Sequence, residues 1–182
     1  MGGFIVGFDN DPLPIFEEQI EFIQKSGIVT AMVGLLNAPR GTRLYQRLMK
    51  ENRLLKEVSG DNTDFSINFI PKMNYERLIN GYKRIISGIY SPKPYYERVR
   101  RFLKEYKPLQ ELHFHLGYIR FHFGYMGAFF KSIWYLGIND KARAYNWKFF
   151  LWSLFRCPRL FLLATTYAIY GFHFRKVLKN YL

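Results

Sequence analysis

Cysteine is almost absent from this sequence. Cys157 is the only cysteine among 182 residues, so an internal disulfide is excluded, and one thiolate cannot anchor an iron-sulfur cluster. A chain of this size without a disulfide is typical of a reducing compartment, and we expect a cytoplasmic location. Because Cys157 precedes a proline within an aromatic segment, we predict that it is a small buried hydrophobic residue.

The sequence also lacks a long uninterrupted apolar segment. Its most apolar stretch, "FFLWSLFRCPRLFLLATTYAIYGF", is interrupted by Arg156, Pro158 and Arg159. The part that follows is shorter than the roughly 20 residues that a spanning helix needs. The N-terminal residues have neither the basic region nor the small-residue cleavage site of a secretory signal. We therefore predict buried or interfacial helices, with at most peripheral membrane association.

Acidic residues are scarce in only one part of the chain. Residues 1–82 contain 9 Lys+Arg and 10 Asp+Glu, whereas residues 83–182 contain 18 and 4. The formal net charge of +13 thus comes from the second region. No nucleic-acid recognition motif accompanies this charge, so we predict no nucleic-acid partner. We predict two domains, at residues 1–90 and 91–182.

The first region alternates strands and helices. "GFIVGF" and "IVTAMVGLL" are too apolar for surface strands, and we predict strands that are buried on both faces. Apolar residues predict a helix that ends at Gly27, and Thr42 is a natural cap for a second helix. This order demands parallel pairing and an α/β fold. The residues predicted to face inward from the two helices are Phe16, Ile20, Ile23, Leu44, Leu48 and Leu55.

The second region is helical, and we predict an all-α bundle there. Asn74 can cap a helix that Pro92 ends, with a buried stripe formed by Leu78, Tyr82, Ile85, Ile86 and Ile89. The next helix is basic, and we predict that Arg98, Arg100, Arg101 and Lys104 form a solvated face. Three further helices are predicted at 112–133, 141–156 and from residue 158 to near the C-terminus. We predict no metal site, because His113, His115 and His122 lack the spacing of about four that helical ligands need.

Five segments in order carry a family resemblance. "GGFIVGFDNDP", "FIQKSGI", "GLLNAPRGTRLYQRL", "GDNTDFSINFIPKM" and "YSPKPYYERVRRFL" together resemble the C-terminal half of radical S-adenosylmethionine (SAM) proteins that carry an N-terminal cobalamin-binding domain. The resemblance implies that residues 1–90 are the last strands and helices of a partial (β/α) barrel. It also implies that residues 91–182 are a helical domain specific to the family.

The resemblance implies cofactor-binding residues in the first strand. The family's strand G-x-I-x-G, which lies along the SAM adenine, matches Gly3, Ile5 and Gly7. Glycines allow close approach of an adenine to the backbone, although they equally suit tight strand-to-helix packing. We expect Gly7 to contact the cofactor and Gly34 to act through packing. The position at which some relatives carry an acidic residue is Asn10 in this chain, so this residue departs from the family pattern and the family's polar contact is not assigned to it.

The implied function is that of a cobalamin-dependent radical SAM enzyme, with methyltransferase-like chemistry on a small-molecule or lipid-like substrate. The family holds its iron-sulfur cluster with three cysteines spaced C-x-x-x-C-x-x-C, which this chain lacks. We therefore expect a fragment whose partner is the missing N-terminal half, with the cluster and cobalamin bound only by the intact protein. Catalytic residues are not identified. The alternative is a non-catalytic basic helical module that associates with a membrane surface.

Overall fold

The computed structural model describes residues 1–55, 66–107 and 134–179. This part of the chain is mostly helical and contains one two-stranded parallel sheet, in the predicted order of α/β followed by helices. The long helix predicted at 112–133 lies outside the described residues. The elements are β1 (Gly2–Val6), α1 (Ile15–Ser26), β2 (Ala31–Leu35), α2 (Arg43–Lys50), α3 (Tyr75–Tyr90), α4 (Pro92–Glu105), a π-helical turn (Tyr135–Asn139), α5 (Arg143–Arg156), a 3₁₀ turn (Pro158–Leu160) and α6 (Phe161–Lys179).

Two compact units divide the chain. The first consists mainly of Met1–Ile89, and the second is Tyr90–Val177. The first unit contains the sheet with α1, α2 and α3, and the second contains α4, α5 and most of α6.

The sheet of the first unit pairs β1 with β2 in parallel, with Gly3 opposite Met32 and Ile5 opposite Gly34. Side chains alternate between the two faces of a strand, and only the residues on one face of this sheet are buried. The buried residues include Val6, Ala31, Val33 and Leu35. The prediction that both strands are buried on both faces is therefore wrong for this chain: Ile5 and Met32 are about half exposed.

Helices α1 and α3 also supply buried apolar residues to the first unit. Phe16 and Ile23 of α1 are buried, and the helix ends at Gly27, which adopts a left-handed conformation with φ of 69°. The predicted stripe of α3 is buried in full. Tyr82 of this stripe donates a hydrogen bond to the Val33 carbonyl over 3.1 Å, and burial raises its pKa to about 12.

Two predicted helix caps are present in the first unit. The Thr42 hydroxyl accepts a hydrogen bond from the Tyr45 amide over 3.1 Å, and the Asn74 side chain accepts one from the Arg77 amide over 3.0 Å. These bonds satisfy amides that the first turn of a helix leaves unpaired. The prediction that Leu55 faces inward is wrong, since this residue follows α2 in an irregular segment and is half exposed.

Aromatic rings form the core of the second unit. The Tyr96 ring stacks on Phe149 with centroids 4.7 Å apart, and Tyr90 stacks on Phe174 at 4.6 Å. The Tyr95 hydroxyl donates a hydrogen bond of 2.7 Å to the carbonyl of Tyr167. Tyr95 thus contributes apolar area while its hydroxyl is hydrogen-bonded.

The prediction of a fully solvated basic face on α4 is wrong for Arg98. Its side chain is only 1% exposed, with the guanidinium 5.9 Å and 5.4 Å from the ring centroids of Tyr90 and Tyr95, and burial lowers its pKa. Arg98 lies three residues after Tyr95, so it shares the apolar side of the helix. Arg100 also lies against a ring, 5.3 Å from that of Trp152.

A polar cluster joins the start of α5 to α6 in the second unit. The carboxylate of Asp140 accepts hydrogen bonds from Arg175 over 2.7 Å and from Asn146 over 3.0 Å. Asn146 also donates to the Leu136 carbonyl and is bonded to the Tyr96 hydroxyl. Burial acts to raise the pKa of Asp140, but hydrogen bonds from the Ala142 amide, Asn146 and Arg175 outweigh it and lower the pKa.

Cys157 lies directly after α5 and is partly exposed, so the prediction that it is a buried residue is wrong. The chain turns there into the 3₁₀ segment, which leaves the side chain near the surface.

Among the described residues, none of the helices is both long and apolar enough to cross a membrane.

Candidate functional site

The uncovered face of the β1–β2 sheet is the candidate site. Its four residues are Gly3 and Ile5 of β1 and Met32 and Gly34 of β2, and we call them the open face. A Cβ atom added to Gly3 or Gly34 would have no heavy atom within 4 Å. Two glycines beside two apolar side chains thus form a shallow surface on which a flat ring can approach the backbone.

Backbone geometry adds polar groups at one border of the open face. The Gly2 amide bonds to the Thr30 carbonyl, and the Leu36 amide bonds to the Val6 carbonyl. In a parallel ladder, the peptide groups of Gly3 and Ile5 therefore point to the edge of β1 opposite β2. No strand of the described part of the chain pairs with this edge, although the Gln19 side chain donates a hydrogen bond of 3.0 Å to the Ile5 carbonyl.

Gly7 has a different role from Gly3. Its φ of 104° is a conformation that side-chain-bearing residues rarely adopt, and an added Cβ would lie 3.3 Å from Leu78 Cδ2. The structure does not show the packing contact expected at Gly34, where an added Cβ would have no heavy atom within 4 Å, and cofactor contact by Gly7 stays a prediction. Gly7 turns the chain and packs against α3, while Gly34 lies on the open face.

The loop after β1 is held by two carboxylates. Asp11 accepts hydrogen bonds from the amides of Gly7 over 2.7 Å and Phe8 over 3.0 Å. Asp9 binds Arg53 through both carboxylate oxygens, over 2.7 and 3.1 Å, and Arg47 over 2.9 Å. The hydrogen bond from Arg53 is the main cause that lowers the pKa of Asp9. Asn10, the departure from the family pattern, is exposed between them.

The loop after β2 is held by two asparagines. The Asn68 side chain accepts a hydrogen bond from the Ala38 amide and donates one to the Ala38 carbonyl, each over 2.8 Å. In return, the Asn37 side chain accepts a hydrogen bond of 3.1 Å from the Asn68 amide and donates one of 3.3 Å to the Ser66 carbonyl. The side-chain amides thereby replace strand pairing and fix the loop at the carboxyl end of β2.

The structure brings together two of the three predicted site residues. Gly3 and Ile5 share the open face, and Gly7 closes the end of the strand. Met32 and Gly34 were not identified from the sequence as candidate site residues, although the two-residue alternation of side chains along a strand places both on one side of "AMVGL". The arrangement suits binding and orientation of a planar group.

Metal-binding groups are absent from the described ranges: there, no three His, Cys, Asp or Glu side chains lie close enough together to hold an ion. His113, His115 and His122 lie outside these ranges. The residues present also do not fit an iron-sulfur cluster, since the sequence has one cysteine.

The family of this chain follows from a match that covers most of it. Residues 42–182 match the family described as Domain of unknown function (DUF4070). The chain belongs to this family, which is the C-terminal domain found in cobalamin-binding radical SAM proteins.

Two relatives carry names that refer to methyl transfer. An uncharacterized methyltransferase from Synechocystis sp. is 31% identical over 176 residues, which are 96% of this chain and 32% of that protein. A hopanoid C-2 methylase from Rhodopseudomonas palustris is 29% identical over 98 residues, or 54% of this chain and 18% of that protein. This chain therefore spans about a third or less of these relatives' length. No solved structure is significantly similar to it.

Proposed function

We propose that this chain is the C-terminal part of a cobalamin-dependent radical SAM enzyme of the methyltransferase type, and that its open face binds the SAM adenine. The main support is that one side of the sheet is uncovered, at Gly3, Ile5, Met32 and Gly34. Membership of the DUF4070 family and the names of the two relatives support the assignment.

The two parallel strands then belong to a partial (β/α) barrel whose inner side is the open face. Helices α1 and α3 contribute buried residues of the first unit, with Phe16 and Leu78 among them. In parallel α/β folds, helices cover the outer side of a sheet, and ligands bind at the carboxyl ends of the strands. The Asp9, Asp11 and Asn68 contacts fix the loops at those ends.

In the intact enzyme, bound SAM would supply the 5′-deoxyadenosyl radical that abstracts a hydrogen atom from a substrate carbon, after one-electron reductive cleavage by the iron-sulfur cluster that the rest of that enzyme would hold. This chain's residues have binding and orienting roles. Gly3 and Gly34 leave room for the adenine to approach the backbone, and Ile5 and Met32 provide apolar surface.

The test is a chimera in which this chain replaces the matching segment of the Synechocystis relative, with that intact relative as the positive control. We expect the chimera to bind SAM and to form 5′-deoxyadenosine. A Gly3→Val change should weaken SAM binding about tenfold, which corresponds to about 1.4 kcal/mol. The melting temperature should not fall, because valine suits a strand and the position is open.

Gly7→Val is the matched comparison. Its strained φ and its contact with Leu78 predict a lower melting temperature. Normal SAM affinity in a folded Gly3→Val chimera would contradict the assignment of the open face.

The isolated chain provides a second control. Reconstituted with iron and sulfide, it should bind no stoichiometric cluster and should not cleave SAM, because it contains one cysteine. A cluster absorbance band together with 5′-deoxyadenosine would contradict the proposal that this chain is part of a larger enzyme.

A further inference from the structure

We propose that the exposed side of α5 docks on the surface of an anionic lipid bilayer. Four apolar side chains, which we call the α5 stripe, recur at spacings of one, three and four along this helix. They are Trp147, Leu151, Leu154 and Phe155, and all are exposed, Phe155 by 79%. The buried residues of α5 lie on its other side: Asn146, Phe149, Phe150 and Ser153.

Exposed basic side chains accompany the α5 stripe. Arg143 lies at the start of the helix, Lys148 lies beside Trp147, and Arg156 follows Phe155. Residues 141–179 contain 8 Lys+Arg and no Asp+Glu. An apolar strip with basic residues along it complements a bilayer that presents anionic headgroups above an apolar interior.

Helix α5 has features of a helix that lies on a membrane. None of the described helices is suitable for spanning a bilayer. Trp147 is half exposed, and its indole N–H donates a hydrogen bond of 3.1 Å to the Gly137 carbonyl. Its ring can therefore enter the membrane interface without an unsatisfied donor. A second copy of the chain is disfavoured as the occupant, because two faces with positive charge and no acidic residue would repel each other.

The experiment measures binding of the full 182-residue chain to vesicles by co-sedimentation and by tryptophan emission. Vesicles of phosphatidylcholine are compared with vesicles in which about a third of the lipid is phosphatidylglycerol. We expect binding and a blue shift with the anionic vesicles, little binding to the neutral ones, and weaker binding as salt is raised.

Two variants separate apolar insertion from charge attraction. Leu151→Gln with Phe155→Gln should weaken binding to anionic vesicles by about tenfold or more, since both side chains would leave the apolar phase. Lys148→Gln should weaken it about fivefold at low salt. Met49→Gln, at an equally exposed helical methionine of the first unit, is the control and should bind as the unchanged chain does.

Three results would overturn the proposal. One is no binding to anionic vesicles, and another is equal binding to neutral and anionic vesicles. The third is unchanged binding of the folded Leu151→Gln, Phe155→Gln variant, which would leave charge alone as the cause. Because this surface is independent of the open face, loss of vesicle binding and loss of SAM binding can be observed separately.

Discussion

Gly81 and Gly88 of α3 provide a matched pair for testing how closely α1 and α3 pack. A Cβ at Gly81 would lie within 3.0 Å of three ring atoms of Phe16. A Cβ at Gly88, two turns later on the same side, would meet Ile20 Cδ1 at 3.4 Å, an ordinary contact. Replacement by alanine therefore adds the same methyl group to one crowded position and to one that has room.

The expected magnitudes follow from two opposing effects. Alanine is favoured over glycine inside a helix by about 1 kcal/mol at both positions. At Gly81 the Phe16 ring must move, and since this ring is 4% exposed, it has no free path into solvent. Overpacking of this kind costs about 1–3 kcal/mol. We expect Gly88→Ala to stabilise the protein and Gly81→Ala to be less stable than Gly88→Ala by about 1–3 kcal/mol.

The assay is urea unfolding followed by far-UV circular dichroism, from which the free energy of unfolding is extrapolated. A Phe16→Leu background provides a further check. Leucine is smaller than phenylalanine, so the cost of Gly81→Ala should shrink there. Equal free energies of unfolding for Gly81→Ala and Gly88→Ala would refute the close approach of α1 and α3.

Two further predictions concern charged groups. Arg53→Gln should destabilise the chain by about 1–3 kcal/mol in urea unfolding, because it removes two hydrogen bonds from a carboxylate that is mostly buried. The control Arg47→Gln, at a half-exposed arginine that binds the same Asp9, should cost less than about 1 kcal/mol, and equal losses would contradict this ranking. Stability should also fall on acidification, since the pKa values of Asp9 and Asp140 are lowered from 3.8. The contribution of these two carboxylates to the free energy of unfolding is present above about pH 3.8 and is lost as the pH falls through the lowered pKa values. A variant with Asp9→Asn and Asp140→Asn should lose part of this pH dependence. An unchanged loss of stability at acidic pH in that variant would show that these groups do not cause it.

Local patterns in the sequence determined most helices of the first unit. Thr42 and Asn74 cap helices because their side chains bond to amides within three residues, and Gly27 ends α1 by its own conformation. The spacing of apolar residues predicted the buried side of α3 in full. Such features depend on neighbours along the chain, so they can be predicted before the packing is known.

The tertiary structure alone decided which side of the sheet is open. An apolar strand is compatible with burial on one face or two, and the sequence of β1 does not say where helices pack. For the same reason, the sequence did not predict the packing of Gly7, because its contact is with Leu78, which is distant in sequence. Arg98 is buried beside aromatic rings of the second unit, whereas its charge alone predicts a solvent-exposed side chain. Contacts between distant segments therefore determined both the candidate site and the main corrections.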